Sequence, residues 1–559
     1  MKKSSIKLNE KQSYHLLYLS FAVIFIGFLM VGRLAQIAIF KNIHGVDLST
    51  YQYQDQEGSS ISTAKRGTIF DRKGQPLAID TTSYSMYAVL KGDWAEEGVV
   101  TDIDYTASVL TKYLDLSRET IWTLLNNSDV DQVELGAEAK RISDEKKAAI
   151  EAENLPGIYF KTQKSRHYVN DYFASHLLGY VETNDEGLGR GVLGVEEAYN
   201  DYLIGIEDDQ VFSKGNRDLY LTLDSRLQNK AEDILEEAYL RFEPHSMGAY
   251  IVDLKDGALL TAAQRPSFNL NTLEGIDQQW QNLLIETANE PGSTIKMLTM
   301  AKAKELGVFS SGETYLSGQI DVNGHQVRDY NYYGWGQISF EDGFARSSNV
   351  AMVELVNRMG HNVWTNHLRR FGFGQTTDSK LQNETTGQLD FNNLTSQIMS
   401  GFGQGFSATP IQLLQAFTAI GNQGRMLKVQ YLDHFGNQPN SYHKHNLGQL
   451  IRPEDARYVL DLMVKSVEDP LGTAKSFGSH HTQVAAKTGT AQIANEEGTG
   501  YLTGDNNYYF SVVTFFPAQE PRYMMYLFIK QPQKNNEIYG NEMLAQIFHP
   551  LLDTVLINQ

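Results

Sequence analysis

The first forty residues separate charge from apolarity. Lys2, Lys3, Lys7 and Lys11 precede an uncharged stretch from Leu16 to Gly32 that continues past Arg33 to Phe40. Such a run exceeds the roughly 7 to 15 apolar residues of a secretory signal core, and no A-x-A cleavage pattern closes it. Its length suits a hydrocarbon core, so residues 14–40 are expected to form an uncleaved membrane anchor. The basic flank is expected to keep residues 1–13 in the cytoplasm and to place everything after about residue 41 outside. Arg33 lies near enough the outer end to snorkel to the headgroups.

From Lys41 to about Gly215 the patterns are short: strand-like alternation at Ser85–Leu90, helical spacing at Ser143–Glu153. Residues 41–215 therefore read as a small α+β spacer domain. Leu219 to Leu223 alternates like a strand, and Asp224 is placed to cap a helix from Ser225 to about Leu240, so residues 216–559 read as a second domain. Gly248–Asp253 and Ala258–Ala263 are strand-like runs joined at Lys255-Asp256-Gly257, a hairpin signature. A mostly helical middle is expected from about Trp280 to Ser466. Strand character returns at Val484–Ile493, Tyr508–Phe516 and Tyr523–Lys530, before an apolar helical segment at Glu542–Leu556. Strands at both ends of a helical block predict one antiparallel sheet assembled from both termini, an α+β fold. Glu496–Gly504 reads as an exposed Gly-rich turn between two strands.

Composition narrows the function. A formal charge of −19 argues against a nucleic-acid partner, which needs clustered Lys and Arg. The absence of cysteine removes disulfides, thiol nucleophiles and thiolate metal sites together. His443-Lys444-His445 and His480-His481 have no carboxylates at zinc-like spacing beside them, so they read as loop histidines, with no metal and no cofactor.

Candidate chemistry comes from three short motifs in order. Ser-x-x-Lys occurs five times, at Ser4, Ser62, Ser143, Ser293 and Ser441, so the motif alone selects nothing. Only Ser293 follows Pro-Gly and opens an apolar helical run, Ile295, Met297, Leu298, Met300 and Ala301. One turn separates it from Lys296, so both project from one face near a positive helix end. To act as a base Lys296 must be neutral, which burial and a second cation promote; Lys487 is the natural second cation. Ser-x-Asn matches at Ser267-Phe268-Asn269 and at Ser347-Ser348-Asn349, and the second precedes the apolar helix Val350–Met359. The Ser347 hydroxyl can relay a proton to a leaving group while Asn349 holds a substrate amide. Read alone, Ser293 and Ser347 could each be no more than a helix cap. Lys487-Thr488-Gly489-Thr490 occurs once, on a strand. Its cation and the Thr488 and Thr490 hydroxyls suit a substrate carboxylate, with Gly489 where a side chain would block the ligand. The Thr490 and Ser293 N–H groups are candidates for an oxyanion hole.

At these residues the chain resembles a class B penicillin-binding protein. The spacer region adds Arg66-Gly67-Thr68-Ile69-Phe70-Asp71-Arg72 with Gly74, Ala174 to Tyr180, and Gly194-Val195-Glu196; beyond it come Leu221-Thr222-Leu223-Asp224 with Gln228, Glu290-Pro291-Gly292-Ser293, Gly403-Gln404-Gly405, and Thr409-Pro410 with Gln412. The resemblance implies an elongated spacer, a pedestal for dimerisation, and a serine β-lactamase-like transpeptidase domain whose antiparallel sheet is flanked by helices, with an all-helical subdomain. It implies a D,D-transpeptidase of the bacterial plasma membrane that cross-links peptidoglycan stem peptides, a D-Ala-D-Ala donor and an amine acceptor, through a Ser293 acyl-enzyme. β-Lactams would acylate the same serine, and a partner glycosyltransferase and other wall-synthesis proteins are implied. Two departures stand out: Ala486 precedes Lys487 where glycine is frequent, which should tighten the space beside the active-site strand, and Val169 follows Arg166-His167-Tyr168 where proline is usual.

Three alternatives share parts of the pattern. A D,D-carboxypeptidase uses the same Ser, Lys and Asn set, so the acceptor, amine or water, is not encoded in the motifs. A β-lactamase of class A needs a Glu-x-x-Leu-Asn motif for its deacylating water, which is absent. A non-enzymatic scaffold or β-lactam sensor is disfavoured by the intact catalytic set and by a cytoplasmic tail too short to fold alone.

Overall fold

The computed structural model describes residues 66–557 except 93–97, 137–138, 141, 184–188, 206–216, 392, 437, 439–443, 496–499, 505 and 535–537; before them it describes only the paired strands Asn42–Ile43 and Val46–Asp47. The chain forms two compact units, Met1–Ala64 and Lys65–Gln559. The anchor expected over residues 14–40 lies outside the described residues, and no described helix is long and apolar enough to cross a membrane.

In the larger unit, near-continuous apolar runs build a sheet buried on both faces. Its strand order is Ala258–Arg265, Pro244–Asp253, Tyr523–Pro532, Tyr508–Phe516, Ala485–Gln492, antiparallel throughout. The expected union of both termini is thus realised, and Ala485–Gln492 ends at one edge. Met247, Ala249, Ile251, Val512 and Leu527 pack under the helices Ser225–Phe242 and Gly540–Ile557. Tyr250, Val252, Val513 and Tyr526 join a second core with the helical block. Asp224 caps the first of those helices as expected, accepting the Arg226 and Leu227 N–H groups. Leu227, Ala231, Leu235, Ala238 and Phe242 form its buried stripe, where each large side chain contributes about 1.5–3 kcal/mol.

The middle is less uniformly helical than its composition suggests. It contains the helices Lys296–Leu306, Asn349–Met359, His361–Arg370, Pro410–Gly421 and Pro453–Glu468, but Gln319–Val322 and His325–Arg328 form a hairpin. Asn323 and Gly324 both have positive φ, 52° and 83°, as a two-residue type I′ turn requires.

The spacer is built on one long ladder, Pro76–Val89 against Ile158–Tyr168, paired from Ala78↔Tyr168 to Ala88↔Ile158. Its sheet continues through Ile69–Phe70 to Leu219–Leu221 and Leu432–Phe435. Leu219–Leu221, read from sequence as the opening of the second domain, therefore lies inside a sheet that contains strands from both parts. Spacer motifs far apart in sequence meet in one buried ion cluster: Glu196 accepts from Arg66 Nε at 2.6 Å and Arg166 Nε at 2.7 Å, and Arg166 also reaches Asp80 at 2.9 Å. Val169 uses the N–H that proline would lack, donating to the Leu77 carbonyl at 3.0 Å.

Candidate active site

The segment Glu290–Lys296 lies against the edge strand Ala485–Gln492 of the sheet. Gly292–Ile295 is a 3₁₀ turn that leads into the helix Lys296–Leu306. Three residues per turn eclipse positions i and i+3, so Ser293 and Lys296 align more directly than in the α-helical start expected from the motif. Ser293 does not cap the turn; Pro291 holds that position and no side-chain cap bond forms. The serine hydroxyl is left for other work, half-exposed at the surface of the cleft.

Ser347 is likewise excused from capping. Ser348 caps the helix Asn349–Met359, accepting the Ala351 N–H at 3.0 Å. Ser347 precedes it with φ 58°, a left-handed conformation that costs a non-glycine residue about 1–3 kcal/mol and that clusters at functional sites. From there its hydroxyl faces two amines. Lys487 Nζ lies 2.9 Å from Ser347 Oγ, and Lys296 Nζ lies 3.3 Å from it. Lys296 also donates to the Ser347 carbonyl at 2.6 Å and to Asn349 Oδ1 at 2.7 Å. Both lysines are fully buried. Burial pushes Lys296 down to about 7, against the opposing pull of the Asp329 carboxylate. Burial, and then the charge of Lys296, push Lys487 well below the ordinary lysine range. A neutral Lys296 amine has two N–H donors, matched by the Ser347 carbonyl and Asn349 Oδ1, and one lone pair to receive a hydroxyl proton.

One organiser of this cluster carries no sequence signal. Asp329 is buried, and its carboxylate accepts the Ser348 hydroxyl at 2.9 Å and the N–H groups of Asn349, Val350 and Gly318 at 2.7, 3.1 and 2.9 Å. An acidic group at this helix N-terminus satisfies donors that have no intrahelical partner. It follows the Gln319–Arg328 hairpin, and only that fold brings it to the Ser-Ser-Asn segment.

The strand Ala485–Gln492 corrects three expectations. A Cβ on Gly489 would meet Ser511 Oγ at 2.4 Å, Thr294 Cγ2 at 3.1 Å and the Pro291 carbonyl at 3.2 Å. The glycine therefore lets the Ser293 turn lie against the strand. Ala486 points to the other face, in the core with Phe477, Val512 and Phe548, so it does not narrow the space beside Ser293. Thr488 is buried and donates to Thr473 Oγ1 at 3.1 Å, whereas Thr490 is exposed at the cleft. Of the two hydroxyls only Thr490 is open to solvent.

The rival motifs separate from this site. Ser143 caps the exposed helix Asp144–Ala152, accepting from Lys146 N–H, and Asn269 Oδ1 accepts the N–H groups of Asn271 and Thr272 within its own turn. Ser4, Ser62 and Ser441 lie outside the described residues. Among the described residues no group of three or more His, Asp or Glu is placed to hold a metal ion.

Comparison with known proteins fits this geometry. Residues 247–553 match the penicillin-binding protein transpeptidase domain, and residues 61–234 match the penicillin-binding protein dimerisation domain. The chain belongs to the penicillin-binding protein transpeptidase family. It is 28% identical over 517 residues to stage V sporulation protein D of Bacillus subtilis, covering 86% of this chain and 76% of that protein. It is 27% identical over 519 residues to the peptidoglycan D,D-transpeptidase FtsI of Escherichia coli, covering 89% and 84%. Among solved structures it resembles penicillin-binding protein 2X from Streptococcus thermophilus, with TM-score 0.71, 30% identity, and coverage of 89% of this chain and 79% of that one. The family's motif residues outside the cleft are structural: Gln228 grips the outer sheet strand through the Ala262 N–H and carbonyl at 2.7 and 3.2 Å, and Thr409 with Gln412 forms a capping box.

Proposed function

We propose that this transpeptidase cross-links peptidoglycan stem peptides by acyl transfer through Ser293. The observation that carries the reading is the Ser347 hydroxyl within reach of both buried lysines, one of them pushed down to about 7 by burial. Neutral Lys296 takes the Ser293 proton as Oγ attacks the carbonyl of the penultimate D-alanine. The ammonium so formed returns that proton through Ser347 to the departing nitrogen, the C–N bond breaks, and D-alanine leaves. An amine on a neighbouring stem then attacks the ester, releases Ser293 and forms the cross-link. Lys487 and Thr490 receive the donor's terminal carboxylate, and the N–H groups of Ser293 and Thr490 stabilise the oxyanion.

A β-lactam presents a strained amide in place of D-Ala-D-Ala and acylates the same serine without an efficient release step. The apolar segment at residues 14–40 holds the enzyme in the bacterial plasma membrane with the catalytic unit outside, beside a glycosyltransferase that supplies nascent strands. Labelling with a fluorescent penicillin, wild type against Ser293→Ala, tests the acyl-enzyme. Labelling is expected to vanish in the variant, and equal labelling would sink the nucleophile assignment. Incubation with a D-Ala-D-Ala stem peptide and an amine acceptor tests the outcome: a cross-linked product supports transpeptidation, and hydrolysis alone makes the enzyme a carboxypeptidase.

A further inference from the structure

Three residues before the nucleophile stands a carboxyl group that the acyl-transfer scheme does not use. Glu290 Oε1 accepts the Gly405 N–H at 2.8 Å, and the Tyr501 hydroxyl donates to Oε1 and Oε2 at 3.1 and 3.2 Å. Those donors belong to two different segments of the chain. Gly405 ends the Gly403-Gln404-Gly405 loop, in which both glycines have positive φ, 91° and 79°. Tyr501 sits on the arm that extends the active-site strand, where Ala494 bridges Tyr501 and the Leu502 N–H reaches the Ile493 carbonyl at 2.8 Å.

The loop bears directly on the nucleophile turn. Gly292 N–H donates to the Gly403 carbonyl at 3.0 Å, and a Cβ on Gly403 would stand 1.9 Å from the Gly292 carbonyl oxygen. Asn289 and Ala408 exchange both backbone bonds at 3.0 Å. The Thr490 carbonyl comes within 3.1 Å of the Cβ position of Gly292. The peptide that carries Ser293 is thus seated between the loop and the strand, and the Glu290 carboxyl is a single acceptor that ties both to the same turn.

We propose that Glu290 is a positioning residue for acylation, which sets the register of the Ser293 turn against the active-site strand by clamping Gly405 and Tyr501 to one carboxyl group. The inference rests on the Ser293 acyl-enzyme reading above. Neither donor carries a charge, so a carboxamide oxygen can replace the carboxylate toward Gly405. Burial that pushes Glu290 up to about 7 agrees with an acceptor that has no cation beside it.

The test is a stopped-flow acylation series with a reporter penicillin, which separates the binding constant from the acylation rate constant, on wild type, Glu290→Ala, Glu290→Gln and Tyr501→Phe, with thermal melts on each. Misplacing a reacting group by a fraction of an ångström lowers the chemical step, so Glu290→Ala is expected to lose about tenfold or more in the acylation rate constant with the binding constant nearly unchanged. Glu290→Gln is expected to recover most of that loss, and Tyr501→Phe to show a smaller loss in the same constant. A wild-type acylation rate in Glu290→Ala, a loss confined to binding, or a Gln variant as impaired as the Ala variant overturns the proposal. Should Glu290→Ala fail to fold, Tyr501→Phe decides: an unchanged acylation rate constant in the folded variant overturns it. Wild type that is not labelled at Ser293 refutes the acyl-enzyme reading instead, so the two failures are distinct.

Discussion

The Lys487 amine stands 2.9 Å from the Ser347 hydroxyl across 140 residues of chain. That contact joins the sheet edge to the helical block. It holds only if Ser348, and not Ser347, caps the helix that follows, which the Ser348–Ala351 bond secures.

Removing the base separates chemistry from folding. Lys296→Ala deletes the amine that faces Ser347 and Asn349, and a general base contributes roughly 10²–10⁴-fold. Acylation by a reporter penicillin should fall by about that factor while circular dichroism stays native. Normal acylation kinetics would move the base elsewhere.

Acylation should depend on pH through Lys296. With the amine held at about 7, its neutral form grows as pH rises through that value, so the acylation rate constant is expected to climb between pH 6 and pH 8. Asp329 opposes the depression, so Asp329→Asn should shift the rising limb to lower pH. A limb that stays in place, or moves to higher pH, would contradict the assignment of that limb to Lys296.

Asp329 should also matter for stability. Asp329→Ala leaves one hydroxyl and three backbone N–H groups around a buried site without their acceptor. Hydrogen bonds to charged groups contribute about 1.5–3 kcal/mol each in net terms and do not add fully within one cluster, so a loss of at least about 3 kcal/mol is expected in denaturant unfolding. A change under about 0.5 kcal/mol would show that water replaces the carboxylate at little cost.

The Glu290 carboxyl predicts a second pH effect, of opposite sign. Its folded value is raised from 4.5 to about 7, so the group's stabilising contribution is present below about pH 4.5 and is lost as pH rises through 7. Glu290→Gln does not titrate. The thermal midpoint of the variant relative to wild type should therefore be higher at pH 8 than at pH 5, and a difference independent of pH would place the titration elsewhere.

Gly403→Ala tests the seat of the Ser293 turn. A Cβ there meets the Gly292 carbonyl at 1.9 Å and requires φ 91°, so the backbone must move. Slower acylation together with a lower melting temperature is expected; a variant that acylates at the wild-type rate would show that the loop does not position Ser293.

Local pattern by itself determined much of this protein. Strand runs at both ends, the Asp224 cap and the order of Ser293, Ser347 and Lys487 are all short-range signals, and each needs only its own neighbours to be read. Contact across the chain decided the rest. Asn323-Gly324 is a two-residue signal easily lost in a stretch of helical composition, although its positive φ values build the hairpin that delivers Asp329. Whether Ser347 caps the helix or faces the lysines was open in the sequence, because backbone conformation and not the side chain decides it. The roles of Gly489 and Ala486 reversed for a similar reason: alternation along a strand says that neighbours face opposite ways, but only packing says which face holds the nucleophile turn. The lowered pKa of Lys296 also belongs to the tertiary structure, since it arises from burial between a turn, a helix and a sheet edge that no local segment can supply.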